Sequence, residues 1–175
     1  MEKIGRKINI FSFISTILSF ACILVILNIT AINKFSNKLI LMYTLESLST
    51  IISLYTGRCV SKGLDKLCND NFMSPVIKRR ANDVFVKNQR HYATSVMILY
   101  AVHIFIVIWL MAMANRYIDF DIKNIFTYLS NLLKFIFIYV TPVAINILLS
   151  FVGIHGVSER FKEYKKWEVI EDDED

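Results

Sequence analysis

Long runs of apolar residues separated by short polar stretches dominate this chain. A helix needs about 20 mainly apolar residues to cross the hydrocarbon core of a membrane. Four stretches of the sequence meet or approach that length: residues 8–32, 39–57, 93–114 and 132–153. The second is the weakest, because it is short and contains Glu46 and several hydroxyl side chains. The pattern therefore predicts an all-α integral membrane protein with four transmembrane helices.

The four spans account for about half of the chain, which has 175 residues, and leave no room for a separate soluble domain. We expect residues 1–157 to form one transmembrane domain, with residues 58–92 as its longest loop, and residues 158–175 to form an amphipathic and acidic tail. The first span begins with basic residues, as a signal peptide does, but its apolar run exceeds the usual core of about 7–15 residues. We therefore expect it to be retained.

Positive charge is unevenly distributed about the predicted spans. With four spans, the N-terminus, the loop 58–92 and the C-terminal tail lie on one side of the membrane, and they carry fifteen of the 20 Lys and Arg residues. Loops rich in Lys and Arg remain cytoplasmic, so we expect both termini in the cytoplasm. The whole chain has a formal charge of +5, which includes a strongly acidic run over its last eight residues.

The loop 58–92 contains a predicted basic helix. Ser74-Pro75 is typical of a helix start, and an apolar stripe follows it. The basic residues that we expect at the membrane surface or at a partner are Lys78, Arg79, Arg80, Lys87 and Arg90. Such a helix either lies on anionic lipid headgroups of the cytoplasmic leaflet or simply extends the third span as a solvated stalk.

Two further surface helices are predicted beside the fourth span. Gly153 and Gly156 are expected to end that span, and an interfacial amphipathic helix should follow, with Trp167 at headgroup level. The acidic C-terminus is a solvated tail, a contact for the basic loop or a contact for a basic partner. Before the fourth span, residues 115–130 have apolar residues at helical spacing, which indicates a helix lying on the outer surface.

Polar residues inside the spans are the candidates for function, because an unpaired ionisable group is costly in hydrocarbon. They are Glu46 in the second span, His103 in the third and Asn146 in the fourth. Glu46 begins a hydroxyl stripe on its helix, and the first span has a similar stripe, so the two stripes should pack together. Glu46 is then either satisfied structurally or paired with His103 as a proton or cation relay.

Enzyme chemistry has no support in the sequence. It lacks a Gly-rich phosphate loop, a nucleophile elbow and a metal-ligand cluster, so we expect no catalytic residue, cofactor or metal. The three Cys residues are too irregularly spaced for a disulfide framework or a zinc site. The basic residues fit the orientation rule for membrane proteins, and we expect no nucleic-acid binding.

Two short resemblances are present. Asn88-Gln89-Arg90, followed by SVMILY, resembles the start of the third span in the B-cell-receptor-associated membrane protein family. The chain departs from that family in its very short first loop, its fourth span and its lack of a long coiled-coil tail. Two hydrophobic hairpins followed by an amphipathic helix also resemble reticulon-type membrane-shaping proteins, although these spans are long enough to cross the membrane fully.

These features predict a non-enzymatic membrane protein of an internal membrane, such as the endoplasmic reticulum. It would act as an assembly subunit, a trafficking adaptor or a membrane-organising factor, in contact with other membrane proteins or with copies of itself. The alternatives are a small ion- or proton-coupled transport or channel subunit using Glu46 and His103, and a hairpin-type membrane-shaping protein.

Overall fold

A computed structural model describes the backbone of residues 2–27, 35–69, 75–117 and 125–172, and the side chains of residues 3–27, 35–67, 83, 85–113, 125–162 and 164. This part of the chain is helical throughout. The helices are α1 (Glu2–Ile26), α2 (Phe35–Asn69), α3 (Pro75–Tyr117), α4 (Ile125–Phe135), a π-helical turn (Ile136–Val140) and α5 (Thr141–Asp172). All-α architecture is confirmed for the described residues.

Four helical stretches in the described residues are long and apolar enough to cross a membrane. They are Lys3–Ile26, Phe35–Leu67, Phe85–Met113 and Ile125–Lys162. The second has the lowest mean hydropathy of the four, 1.3, and the largest buried share. Its polar residues lower the hydropathy, and five of them between Glu46 and Thr56 are buried against the other helices: Glu46, Ser49, Thr50, Ser53 and Thr56. The weak second span is therefore the helix at the centre of the bundle.

Contacts along α2 fix the register of the bundle. Helices α1 and α3 run antiparallel to α2, whereas α5 runs parallel to it. Helix α2 packs against all three of these helices, while α3 and α5 touch each other only sparingly. The start of α1, the end of α2, the start of α3 and the end of α5 therefore share one end of the bundle. We call this the basic end, and the other the opposite end.

The helices at the basic end continue well past the predicted spans, which corrects two expectations and agrees with one of the two alternatives for the basic helix, that it extends the third span. Helix α2 runs to Asn69 and α3 begins at Pro75, so most of residues 58–92 is helical. The basic helix is continuous with the third span. Helix α5 passes through Gly153 and Gly156 without a break and ends at Asp172, so the predicted boundary at 157/158 falls inside one helix. Glycine lowers helix propensity by only about 1 kcal/mol, which tertiary packing overrides here.

The fourth span has an irregularity at Pro142. Proline has no backbone N–H and cannot bond the carbonyl one turn earlier. A π-helical turn at Ile136–Val140 precedes it, and the Thr141 backbone N–H donates to the Ile136 carbonyl instead. The Thr141 hydroxyl donates to the same carbonyl at 3.2 Å. Residues 115–117 of the predicted outer-surface helix form the end of α3. From Ile125 onward its residues belong to α4, which leads directly into this turn and so continues into the span.

The interior of the bundle has three layers. An apolar cluster lies toward the opposite end and includes Val25, Met42 and Ile106. A second apolar cluster lies at the basic end and includes Val60 and Phe85. Between them the buried side chains are mostly polar, and we call this the polar layer. Its members are Ser12, Ser15, Ser19, Glu46, Ser49, Thr50, Ser53, Thr56, Ser95, His103, Asn146 and Ser150.

Candidate functional site

The centre of the polar layer is a contact between the two ionisable residues of the predicted spans. His103 Nε2 of α3 lies 3.3 Å from Glu46 Oε1 of α2. Each residue is only 1% exposed. Sequence reasoning offered this pair as the less economical alternative, and the structure brings the two residues together. A carboxyl oxygen and a ring nitrogen at this distance can share one proton or form an ion pair.

Asn146 brings a third helix to the same place. Its side chain on α5 is buried and lies beside the Glu46 carboxyl. Its amide nitrogen donates to Ser47 Oγ at 3.2 Å. All three candidates from the sequence therefore meet at one level of the bundle, each supplied by a different helix. Polar side chains that converge from separate helices specify how those helices pack.

Three serines join α1 to α2 beside this centre. Ser49 Oγ lies 3.0 Å from Ser15 Oγ and 2.9 Å from Ser19 Oγ, and it donates to the Ser15 carbonyl at 3.0 Å. The hydroxyl stripes of the first two spans pack together, as the sequence predicted. Small hydroxyl residues allow helix backbones to approach closely and to share hydrogen bonds. Glu46 is not a member of this serine network.

Several buried oxygens and nitrogens of the layer lack an aligned partner among the described residues. They are Ser12 Oγ, both Glu46 carboxyl oxygens, Thr50 Oγ1, both ring nitrogens of His103 and Ser150 Oγ. Glu46 and His103 are thus two ionisable groups that lie close together without a well-directed N–H···O hydrogen bond. Buried polar groups are normally satisfied by protein or by ordered water. This layer therefore has unused hydrogen-bonding capacity.

The immediate surroundings of Glu46 contain other titratable groups. The Cys22 thiol of α1 and the Tyr43 phenol of α2 lie within electrostatic range of its carboxyl. The Tyr43 hydroxyl donates to the Tyr139 carbonyl at 2.8 Å, and the Tyr100 ring meets the His103 ring edge-on. The described residues hold no group of three or more His, Cys, Asp or Glu side chains placed to bind a metal. The chemistry available is hydrogen bonding and proton exchange.

The predicted surface residues lie at the basic end. Lys87 and Arg90 are exposed on α3. Lys78, Arg79 and Arg80 belong to the first turns of α3 and Trp167 to the last turns of α5, but their side chains lie outside the described set. The structure adds an exposed ion pair in this region, Arg160 Nη1 to Asp65 Oδ1 at 3.7 Å, which links α5 to α2.

Sequence reasoning missed Ser150 as a member of the layer. It lies one helical turn after Asn146, so the spacing of the two residues was a usable signal. Ser95, one turn before Leu99 on the buried face of α3, was missed because a serine near the end of an apolar run resembles a boundary residue.

No protein-family model, curated protein or solved structure matches the chain. The geometry of the bundle therefore carries the functional argument.

Proposed function

We propose that this chain is a non-enzymatic multi-pass membrane protein that serves as an assembly subunit, a trafficking adaptor or a membrane-organising factor of an internal membrane such as the endoplasmic reticulum. Its working surface is the basic end, which faces the cytoplasm. The observation that carries the proposal is the extension of α2, α3 and α5 beyond the apolar belt at that end. There they pack around a core of their own, which includes Val60, Leu64 and Phe85.

The charge of this extension supports the proposal. Exposed basic side chains surround the basic-end cluster: Lys3, Arg6, Lys7, Arg58, Lys62, Lys66, Lys87, Arg90, Arg160 and Lys162. A folded, basic surface at this level is suited to acidic segments of a partner and to anionic lipid headgroups. Helix α5 ends at Asp172, within the acidic C-terminal run of the sequence, which would add a second charged element at this end.

The test is cross-linking mass spectrometry of the full chain extracted in a mild detergent. We expect a stoichiometric partner protein cross-linked at the basic end. Reversing two charges there, with Lys87→Glu and Arg90→Glu, should reduce its recovery. The matched control is Lys134→Glu, which reverses an exposed charge on α4, toward the opposite end, and should leave recovery unchanged. A chain that purifies alone, or with anionic lipid only, contradicts the subunit and adaptor roles.

A second candidate function is favoured by one observation, the convergence of Glu46, His103 and Asn146. Intramembrane ionisable residues mark proton and ion paths in many transporters. In this candidate the chain is a small ion- or proton-coupled transport or channel subunit. It predicts proton or cation flux in proteoliposomes that is lost in Glu46→Gln. Absence of flux from the unaltered chain would reject it. The membrane-shaping alternative has no such observation in its favour.

A further inference from the structure

The polar layer extends in one direction only from the Glu46–His103 pair. Toward the basic end, the buried face of α2 continues as Ser49, Thr50, Ser53 and Thr56. From Glu46 to Thr56 this face spans about 15 Å at 1.5 Å per residue. Toward the opposite end, the same face of α2 continues as Met42 and Leu39, which pack in the apolar cluster. The pair is therefore at the end of a polar track.

The track reaches the edge of the apolar belt. The exposed large apolar side chains of α2 end with Tyr55, and those of α1 and α5 begin and end with Ile10 and Val152. Among the described residues of α3, Val86 is the one large apolar side chain exposed beyond Met97 toward the basic end. Thr56 lies beside this edge. Beyond it the outer surface carries the exposed basic residues of the basic end. Water and headgroups thus border the bundle where the track ends.

Within the track, Ser49 bonds the serines of α1, and the Thr56 hydroxyl donates to the Ile52 carbonyl at 2.7 Å. Thr50, by contrast, is fully buried, and its Oγ1 has no aligned partner among the described residues. The same holds for Ser12 Oγ, on the α1 wall, and Ser150 Oγ, on the α5 wall. A buried polar oxygen without a hydrogen bond costs about 1–3 kcal/mol. Water is the smallest molecule that removes this cost, and it is available at the basic end.

We propose that the track from Thr56 to Glu46 binds water that enters from the basic end, and that this water contacts the Glu46–His103 pair. The apolar cluster around Met42 closes the pair off from the opposite end. The inference does not depend on the adaptor role proposed above. In this proposal, water reaches the Glu46–His103 pair from the basic end and not from the opposite end. A contact that only held the helices together would not need access to water.

Hydrogen–deuterium exchange of engineered thiols tests the proposal with water itself as the probe. The full chain, with Cys22, Cys59 and Cys68 replaced by Ala, is placed in lipid nanodiscs and moved into deuterated buffer. The loss of the infrared S–H band is then followed for Ser53→Cys and Leu39→Cys. These positions lie seven residues to either side of Glu46, and they are 7% and 6% exposed. Sequence distance from Glu46 and burial are therefore matched. Leu39 lies nearer to a helix end, at Phe35, which favours faster exchange at position 39 and so works against the expected order.

We expect the thiol at position 53 to exchange about tenfold faster or more, the ratio that corresponds to ~1.4 kcal/mol in opening free energy. In a second matched pair, Thr50→Cys and Met42→Cys, the thiol at position 50 should exchange faster than the thiol at position 42. This pair replaces the first if Ser53→Cys or Leu39→Cys loses its monodisperse elution profile. Equal rates within the pairs, or faster exchange at positions 39 and 42, would overturn the proposal.

Discussion

The two sides of Glu46 along α2 show how one helix serves two environments. Toward the opposite end it contributes Met42 and Leu39 to an apolar cluster, and the helices are held there by side-chain packing. Toward the basic end it contributes Ser49, Thr50 and Ser53, and the helices are held by hydrogen bonds and close backbone approach. Exposed apolar side chains cover α2 on both sides of Glu46, among them Ile40 and Ile51, so the difference lies in the interior.

This difference explains why the second span has the lowest mean hydropathy of the four although its exposed face is apolar. Exposed residues of α2 such as Ile40, Leu48 and Ile51 are apolar, whereas most of its polar residues from Glu46 to Thr56 are buried against other helices. In a membrane the solvent is as apolar as leucine, so polar contacts between helices contribute specificity that apolar contacts cannot. A span with low hydropathy is therefore a reasonable candidate for the central helix of a bundle.

The largest expected effect comes from removing one member of the ionisable pair. His103→Leu leaves the Glu46 carboxyl buried without its partner, and we expect a loss of about 3 kcal/mol in the free energy of unfolding. The double variant Glu46→Leu, His103→Leu removes both groups and should recover at least half of that loss. Unfolding of the purified protein in a detergent titration measures both. A double variant that is no more stable than His103→Leu would show that the pair is not a coupled unit.

A smaller effect is expected where glycine allows α2 and α3 to approach at the basic end. A Cβ added at Gly63 would lie 2.5 Å from the ring of buried Phe85, whereas one added at Gly156 meets nothing within 4 Å. We expect Gly63→Ala to cost about 1–2 kcal/mol through overpacking. Gly156→Ala should instead stabilise the helix by up to about 1 kcal/mol.

Thermal unfolding of these two variants followed by circular dichroism provides the measurement. Destabilisation by both substitutions, or by neither, would contradict the close approach of α2 and α3.

The serine network should contribute about 1 kcal/mol. Ser49→Ala removes the hydroxyl that joins Ser15 to Ser19, so we expect a loss near that value, which is at the upper end for hydrogen bonds between membrane helices. Thr44→Ala is the control on the same helix, because the exposed Thr44 hydroxyl bonds only its own helix, at the Ile40 carbonyl. Its effect on detergent-induced unfolding should stay within about 0.5 kcal/mol. Equal losses in the two variants would remove the case for an interhelical network.

The smallest effect is expected at the Arg160–Asp65 ion pair. Both side chains are about half exposed and their atoms are 3.7 Å apart, so the pair is screened by salt. Asp65→Asn should change the unfolding free energy by about 0–1 kcal/mol at low salt, and by less at high salt. Unfolding measured at two salt concentrations tests this. A loss that is large and independent of salt would mean that the basic end is held by this contact instead of by its apolar core.

The sequence correctly predicted the positions of residues that recur at the spacing of an α-helical turn. The spacing of Ser15 and Ser19 on α1 and of Glu46 and Ser49 on α2 predicted the face on which the two helices meet. Helix ends were predicted less well, because Gly153 and Gly156 were read as stops. Their propensity cost is small beside the packing of Gly153 against Leu54 and of Val157 in the basic-end cluster.

The Glu46–His103 contact was beyond the reach of periodicity. A helical period assigns each residue to a face of its own helix, but it does not give the vertical register between two helices. That register depends on contacts far apart in the sequence, such as Phe85 at Gly63 and Tyr92 at Gly57. The choice between an isolated Glu46 and a paired one therefore needed the three-dimensional structure.

The most direct test of the asymmetry about Glu46 uses the unaltered chain in nanodiscs. Backbone amide exchange is followed by mass spectrometry for two segments of α2, residues 39–45 and residues 49–56. If water enters the polar layer from the basic end, the amides of 49–56 exchange faster, even though 39–45 lies nearer to the start of the helix at Phe35, where fraying favours exchange. Equal exchange in the two segments, or faster exchange in 39–45, would contradict a one-sided polar track.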